Sequence, residues 1–349
     1  MRNRQPGRIA AARVSAANEP RERSASAKRR ARERAGGAGG AKPPDKYDVI
    51  VVGAGPAGLS AALILGRCRR RVLVCDSGRP RNAASHAMHG YLTRDGIAPR
   101  EFLGLGRAQL QQYDTVELID AEVATATCEG ENRFSVTLAT GQTHLARKLL
   151  LATGVVDRIP PIPGFEELYG RSVFHCPYCD GWEIRDQPWA VLGKGERAYG
   201  LALELTTWTR DIVVCTDGPA ELDGRQRSRL DRLGISIRED RVARLEGAHG
   251  VLARVVFETG DPLPRRALFF TTGQEQRSQL ALSLGCEFND KGTVRTGKYE
   301  ATHLPGLYVA GDASRAVQWV VVAAAEGAEA AFAINTDLAR EDLARQAPA

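Results

Sequence analysis

Cys176 and Cys179 stand two residues apart in Cys176-Pro177-Tyr178-Cys179-Asp180-Gly181, a spacing at which two thiols can close a small ring. A helix start or a nearby cation draws the pKa of such a thiol toward neutrality and makes the pair exchange-active. The pair lies between two glycine-rich segments, Gly53-Ala54-Gly55-Pro56-Ala57-Gly58 before it and Gly193-Lys194-Gly195-Glu196-Arg197-Ala198 after it. A dithiol among dinucleotide fingerprints points to electron relay. The competing readings are a zinc half-site and an inert buried pair. Cys68, Cys75, Cys128, Cys215 and Cys286 supply no second closely spaced pair, so no metal is expected.

The elements that must carry these residues are also legible. Tyr47 to Val52 is an apolar, β-branched run of the kind found in buried parallel strands. It runs into the first fingerprint, where Gly53 makes the turn, Gly55 lets a pyrophosphate approach, Pro56 opens a helix and Gly58 lets that helix pack closely. Helix Leu59 to Gly66 and strand Arg71 to Cys75 follow, and Asp76, 23 residues after Gly53, is placed to accept from a ribose hydroxyl. Ala190 to Leu192 leads likewise into Gly193, Gly195 and Ala198, with a helix through Leu205 and a strand Ile212 to Cys215. Leu149 to Gly154 and Phe269 to Gly273 read as strands ending in small-residue turns at crossings between domains, and Leu307 to Asp312 presents an acid at a strand end. This order predicts an α/β chain with two doubly wound, Rossmann-like nucleotide-binding domains.

A length of 349 residues suits about two domains, and 43% hydrophobic with 26% charged residues is an ordinary soluble composition. Val317 to Ala325 is the longest apolar run near the end, far short of the roughly twenty residues a bilayer requires. Seven cysteines without framework spacing suit a reduced cytoplasmic chain. The formal charge of +6 belongs to the tail: residues 1–46 hold 13 lysines and arginines against 4 acids, and the other 303 residues carry −3. That tail has almost no large apolar residues, so disorder over 1–45 is expected. It has no secretory h-region, and a transit peptide or a nucleic-acid arm is disfavoured by its glutamates.

Together the two fingerprints, Ala152-Thr153-Gly154, the Cys-Pro-Tyr-Cys-Asp-Gly segment and Gly311-Asp312 resemble the low-molecular-weight thioredoxin reductase family of flavoproteins. The resemblance covers residues 46 to about 340. It implies a discontinuous FAD domain, 46–158 and 273–340, interrupted by an NAD(P) domain over 159–272 that carries the dithiol, with a disordered end over 341–349. It implies a homodimer whose lobes rotate, bringing dithiol and nicotinamide to the flavin in turn. Cys179 would face the flavin, Cys176 would attack a thioredoxin-like disulfide and Asp180 would act as general acid. The resemblance assigns Asn82, Val123, Thr153, Gly154, Gly311, Asp312 and Gln318 to FAD alongside the first fingerprint, with Gln318 near the pyrimidine end. For Asp180 a helix N-cap is the competing role, and His175 is read as exposed and without a thiolate-stabilising duty.

The sequence also departs from the family. The basic cluster expected after the second nucleotide strand is replaced by Thr216-Asp217-Gly218-Pro219, and an acid at Asp217 suits a free ribose hydroxyl, so NADH is favoured over NADPH. Lys194 and Arg197 leave NADPH open. The loop from Asp312 to Gln318 is short and lacks the arginine that precedes this glutamine in the family. Arg79-Pro80-Arg81-Asn82 with His89-Gly90-Tyr91-Leu92 and Arg94-Asp95-Gly96 is similar to a branch that includes dithiol oxidases acting on small sulfur metabolites. An oxidase and a flavin-bound redox sensor therefore stand as alternatives to the NAD(P)H-dependent reductase. Cys128, Cys215 and Cys286 read as core, as do the four tryptophans, with Trp319 beside Gln318 the possible exception.

Overall fold

A computed structural model describes residues 46–130, 133–271 and 273–346. The tail expectation for residues 1–45 lies outside them.

The chain begins with β1 (Lys46–Val52), α1 (Pro56–Arg67), β2 (Val72–Asp76), α2 (Pro99–Leu110) and β3 (Val116–Asp120). A meander of β4 (Val123–Cys128), β5 (Phe134–Leu138) and β6 (Thr143–Leu151) returns the chain to β1. The strand order is β3-β2-β1-β6-β5-β4, with β1, β2, β3 and β6 parallel. Residues of β1 and β2 alternate between two buried clusters. Val49, Val51, Val72 and Val74 face one way and Ile50, Leu73 and Cys75 the other, as a period of two requires when both faces are covered.

The chain then crosses through β7 (Val155–Asp157), α3 (Phe165–Leu168) and β8 (Val173–Phe174) to a short helix, α4 (Pro177–Asp180). The second parallel sheet comprises β9 (Trp189–Leu192), β10 (Ile212–Cys215), β11 (Ser236–Arg238) and a later strand, with α5 (Gly195–Leu205) and α6 (Gly224–Arg232) as crossovers. An antiparallel meander of β12 (Val242–Ala248), β13 (Val251–Phe257) and β14 (Leu263–Pro264) precedes β15 (Ala267–Phe270), which pairs with both β8 and β9. The chain returns through β16 (Gln274–Gln276), antiparallel to β7, so the two crossings form one ribbon. It ends with α7 (Leu280–Ser283), β17 (Leu307–Val309) beside β6, and the long α8 (Val320–Gln346) packed on α1.

Three expectations need correction. Residues 341–346 are not disordered but form the last turns of α8. Buried Arg147 and Lys148 require acidic partners, and Glu341 and Asp342 supply them: Arg147 lies 2.7 Å from each, and Lys148 lies 2.5 Å from Glu341. Residues 347–349 lie outside the described residues. Cys128 is exposed rather than core, because it sits on an outward position of β4, whereas Cys215 and Cys286 are buried. Trp189 is fully buried and Trp208 partly so, but Trp182 is exposed, with Arg185 stacked on it.

Candidate active site

The first fingerprint is built by steric necessity. A Cβ on Gly58 would lie 1.9 Å from the Gly53 carbonyl oxygen, and one on Gly53, at φ +102°, would lie 2.4 Å from that of Ala152. Gly55 is different, for nothing lies within 4 Å of where its Cβ would stand. That open space faces a cavity of 530 Å³ and leaves room for a phosphate over the start of α1, whose first amides have no intrahelical acceptor.

The cavity gathers almost all the FAD candidates. Gly53, Gly55, Pro56, Ala57 and Asp76 line one end. Asn82, Val123, Thr153, Gly154, Gly311, Asp312 and Gln318 line it as well, with Gly311 beside the fingerprint, where a Cβ on it would lie 3.1 Å from that of Ala57. Gly58 does not line it but sets the packing beneath. A dinucleotide fits this donor set: open backbone at a helix N-terminus, an acid at the end of β2, and polar side chains opposite. Asp76 accepts from the Ala54 amide at 3.1 Å and pairs with Arg107, a residue the sequence did not single out.

Cys176 and Cys179 form a disulfide with Cα atoms 5.3 Å apart. Cys176 caps α4, Pro177 takes the first helical position, and Cys179, not Cys176, lines the cavity. Asp180 closes that helix rather than capping its start, so the cap reading fails; its carboxyl lines the same cavity. Burial, reinforced by Glu183 and opposed by His89, pushes Asp180 up to about 7. Its proton is therefore available near neutral pH.

His175 also lines the cavity, where its ring keeps about a third of its surface accessible, 36%. The protein packed around it lowers its pKa to about 4 against the pull of Asp157. A neutral imidazole cannot stabilise a thiolate by charge. Trp319 is the exception among the tryptophans: it lines the cavity and packs against Tyr178 of α4.

The second fingerprint lies apart from the cavity, at the β9–α5 turn. A Cβ on Gly193 would meet the Thr271 hydroxyl at 2.2 Å, Gly195 takes φ +59°, and Ala198 is fully buried. Asp217 sits in the following turn at φ +49°, where its Oδ1 accepts from the Val242 amide at 2.9 Å and its Oδ2 lies 3.7 Å from Arg241. A Cβ on neighbouring Gly218 would be 3.3 Å from the Lys194 ammonium and 3.9 Å from the Arg241 guanidinium. Arg241 escaped the sequence reading because the cation arrives from the start of another strand, not from the turn itself.

Comparison with known proteins agrees with this geometry. The profile described as pyridine nucleotide-disulphide oxidoreductase matches residues 47–327. A probable thioredoxin reductase of Arthroderma benhamiae is 32% identical over 303 residues, covering 78% of this chain and 75% of the relative. The crystal structure of a putative thioredoxin reductase, TrxB, from Bacillus anthracis superposes with a TM-score of 0.81 at 34% identity, covering 85% of this chain and 99% of that one. The crystal structure of HlmI gives 0.83 at 39%, covering 86% and 95%. The chain belongs to the pyridine nucleotide-disulphide oxidoreductase family, as a thioredoxin reductase-like disulfide reductase that uses FAD and NAD(P)H.

Proposed function

We propose that this protein passes electrons from NADPH through FAD and the Cys176–Cys179 pair to the disulfide of a thioredoxin-like protein. One observation carries the reading: Cys179 of the disulfide lines the same cavity as the fingerprint, Asp312 and Gln318. Bound FAD supplies two-electron chemistry between a nicotinamide and a dithiol. Gly53, Gly55, Pro56 and Ala57 would hold its pyrophosphate, Asp76 and Asp312 would accept from its hydroxyls, and Asn82, Val123, Thr153, Gly154, Gly311 and Gln318 would shape the rest. Cys179 would be the thiol facing it, Cys176 would attack the acceptor disulfide, and Asp180 would donate the proton that the departing thiolate needs.

Gly193, Gly195 and Ala198 form the nicotinamide dinucleotide site. NADPH is the donor of this reading because Lys194 and Arg241 lie close to Gly218 and would suit a 2′-phosphate, while one carboxylate oxygen of Asp217 already accepts from the Val242 amide. A second copy of the chain is supported by exposed Phe332 on α8, packed edge-on against Tyr299. Five free cysteines support a reducing, cytoplasmic setting, and no helix among the described residues is long and apolar enough to cross a membrane.

Anaerobic stopped-flow mixing with NADH, NADPH and a small dithiol in turn tests this function by following the flavin absorbance. Rapid bleaching by NADPH is expected. Bleaching by the dithiol alone, restored by oxygen, would replace the reductase with the oxidase.

A further inference from the structure

Arg81 reaches the cavity from the loop after β2, and none of the roles above uses it. Its Nε–H donates to Asp157 Oδ2 at 2.9 Å. Nη2 donates to Asp157 Oδ1 at 2.5 Å and Gln274 Oε1 at 3.2 Å, and Nη1 donates to Asp312 Oδ2 at 2.9 Å and Gln318 Oε1 at 2.6 Å. These contacts use all five guanidinium hydrogens. Arg81 therefore has no donor left for a ligand, and whatever it does to one it does through its partners and its charge.

Those partners fall in two groups. Asp157 and Gln274 belong to the ribbon of crossings, β7 and β16, whereas Asp312 and Gln318 line the cavity between β17 and α8. Gln318 is held in one orientation, since its Oε1 accepts from Arg81 while its Nε2 donates to the carbonyls of Asp312 and Arg315 at 3.2 and 3.1 Å. Asp312 keeps Oδ1 for a ligand hydroxyl. The place of Arg81 along the cavity follows from Asp157, whose Oδ2 also accepts from Tyr169 at 2.7 Å and lies 3.8 Å from His175, the neighbour of Cys176. The guanidinium thus stands at the dithiol end, where the reacting ring must lie for Cys179 to exchange electrons with it.

Resting on the FAD reading above, we propose that Arg81 is a positioning residue for the flavin reaction: it orients Asp312 and Gln318 and provides the cation that favours negative charge on the ring. Without Arg81 the carboxylates of Asp157 and Asp312 would lose the cation hydrogen-bonded to both, with Arg277 left to act on Asp157, and their negative charge would oppose an anionic ring.

The test compares the FAD-loaded native protein with Arg81→Gln and Arg81→Lys by sulfite titration and by midpoint potential. Sulfite sulfur donates its electron pair to make an S–N5 bond, and the ring takes up the negative charge, so its affinity reports the local cation without turnover. Arg81→Gln should bind sulfite at least about tenfold more weakly and shift the potential to more negative values, while Arg81→Lys, which keeps the charge, should stay within about threefold of native. Native affinity and potential in Arg81→Gln overturn the proposal, and so does equal loss in both variants, which a purely structural arginine would give. If Arg81→Gln does not fold, Asp157→Asn tests the same charge from the other side: with one carboxylate fewer against the guanidinium it should bind sulfite more tightly than native, and native or weaker affinity overturns the proposal. A native protein that NADPH does not reduce sinks the functional reading as well, whereas native reduction with unaltered variants sinks this proposal alone.

Discussion

Tyr178, between the two disulfide cysteines, packs its ring 5.6 Å from that of Trp319, at the entrance to α8. The contact joins the segment carrying the dithiol to the wall that ends in Gln318. An aromatic pair of this kind contributes about 0.5–1.5 kcal/mol. Trp319→Ala should therefore slow single-turnover electron passage between flavin and dithiol by up to about tenfold, and Trp319→Phe should restore most of it. Unchanged rates in Trp319→Ala would show that the pair does not hold the dithiol in place.

Cys179→Ser should retain bound FAD and its reduction by NADPH yet lose reduction of thioredoxin. Turnover of thioredoxin at the native rate would refute the relay.

Asp180 sets a pH limit. With its carboxyl at about 7, the proton-donating form declines as pH rises through neutrality, so kcat/KM for the disulfide should show a falling limb with a midpoint near there. Asp180→Asn should remove that limb and lower the rate about a hundredfold or more at pH 6. A limb that survives the substitution assigns the proton to another group.

Donor choice rests on Arg241 and Lys194. Arg241→Ala should reduce kcat/KM for NADPH about tenfold and leave NADH nearly unaffected, since a charge-assisted contact to phosphate contributes roughly 1.5–3 kcal/mol. Steady-state kinetics with both donors decides it, and an equal fall for both would exclude a 2′-phosphate contact.

Glu341 anchors the end of α8. Glu341→Gln should lower unfolding free energy by about 2 kcal/mol in denaturant titrations at pH 7, because Arg147 and Lys148 lose a charged acceptor. Burial opposes ionisation of Glu341, but Lys148 and Arg147 outweigh it and hold its pKa below 4.5. A lowered carboxyl pKa stabilises the fold above the unfolded value and loses that contribution as the pH falls through the folded value. The difference between native and variant should thus shrink below pH 4.5, and a difference that persists undiminished into acid would argue against the ion pair.

The sequence by itself determined the parts of the chain whose cause is local. Gly53, Gly55 and Gly58 declare a strand-to-helix turn because no side chain fits at two of them, and the pattern from Tyr47 to Val52 declares a strand buried on both faces. The Cys176–Cys179 spacing likewise allowed the small ring that the disulfide closes. The end of α8 did not follow from residues 341–349, because its order comes from Arg147 and Lys148, about 190 positions earlier. The surroundings of Asp217 were likewise not legible: its bond to the Val242 amide and the approach of Arg241 to Gly218 join segments more than twenty positions apart. Arg81 belongs with these, since its five bonds reach residues 76 to 237 positions away. Local geometry is written in neighbouring residues, whereas the balance of buried charge is settled only when distant segments meet.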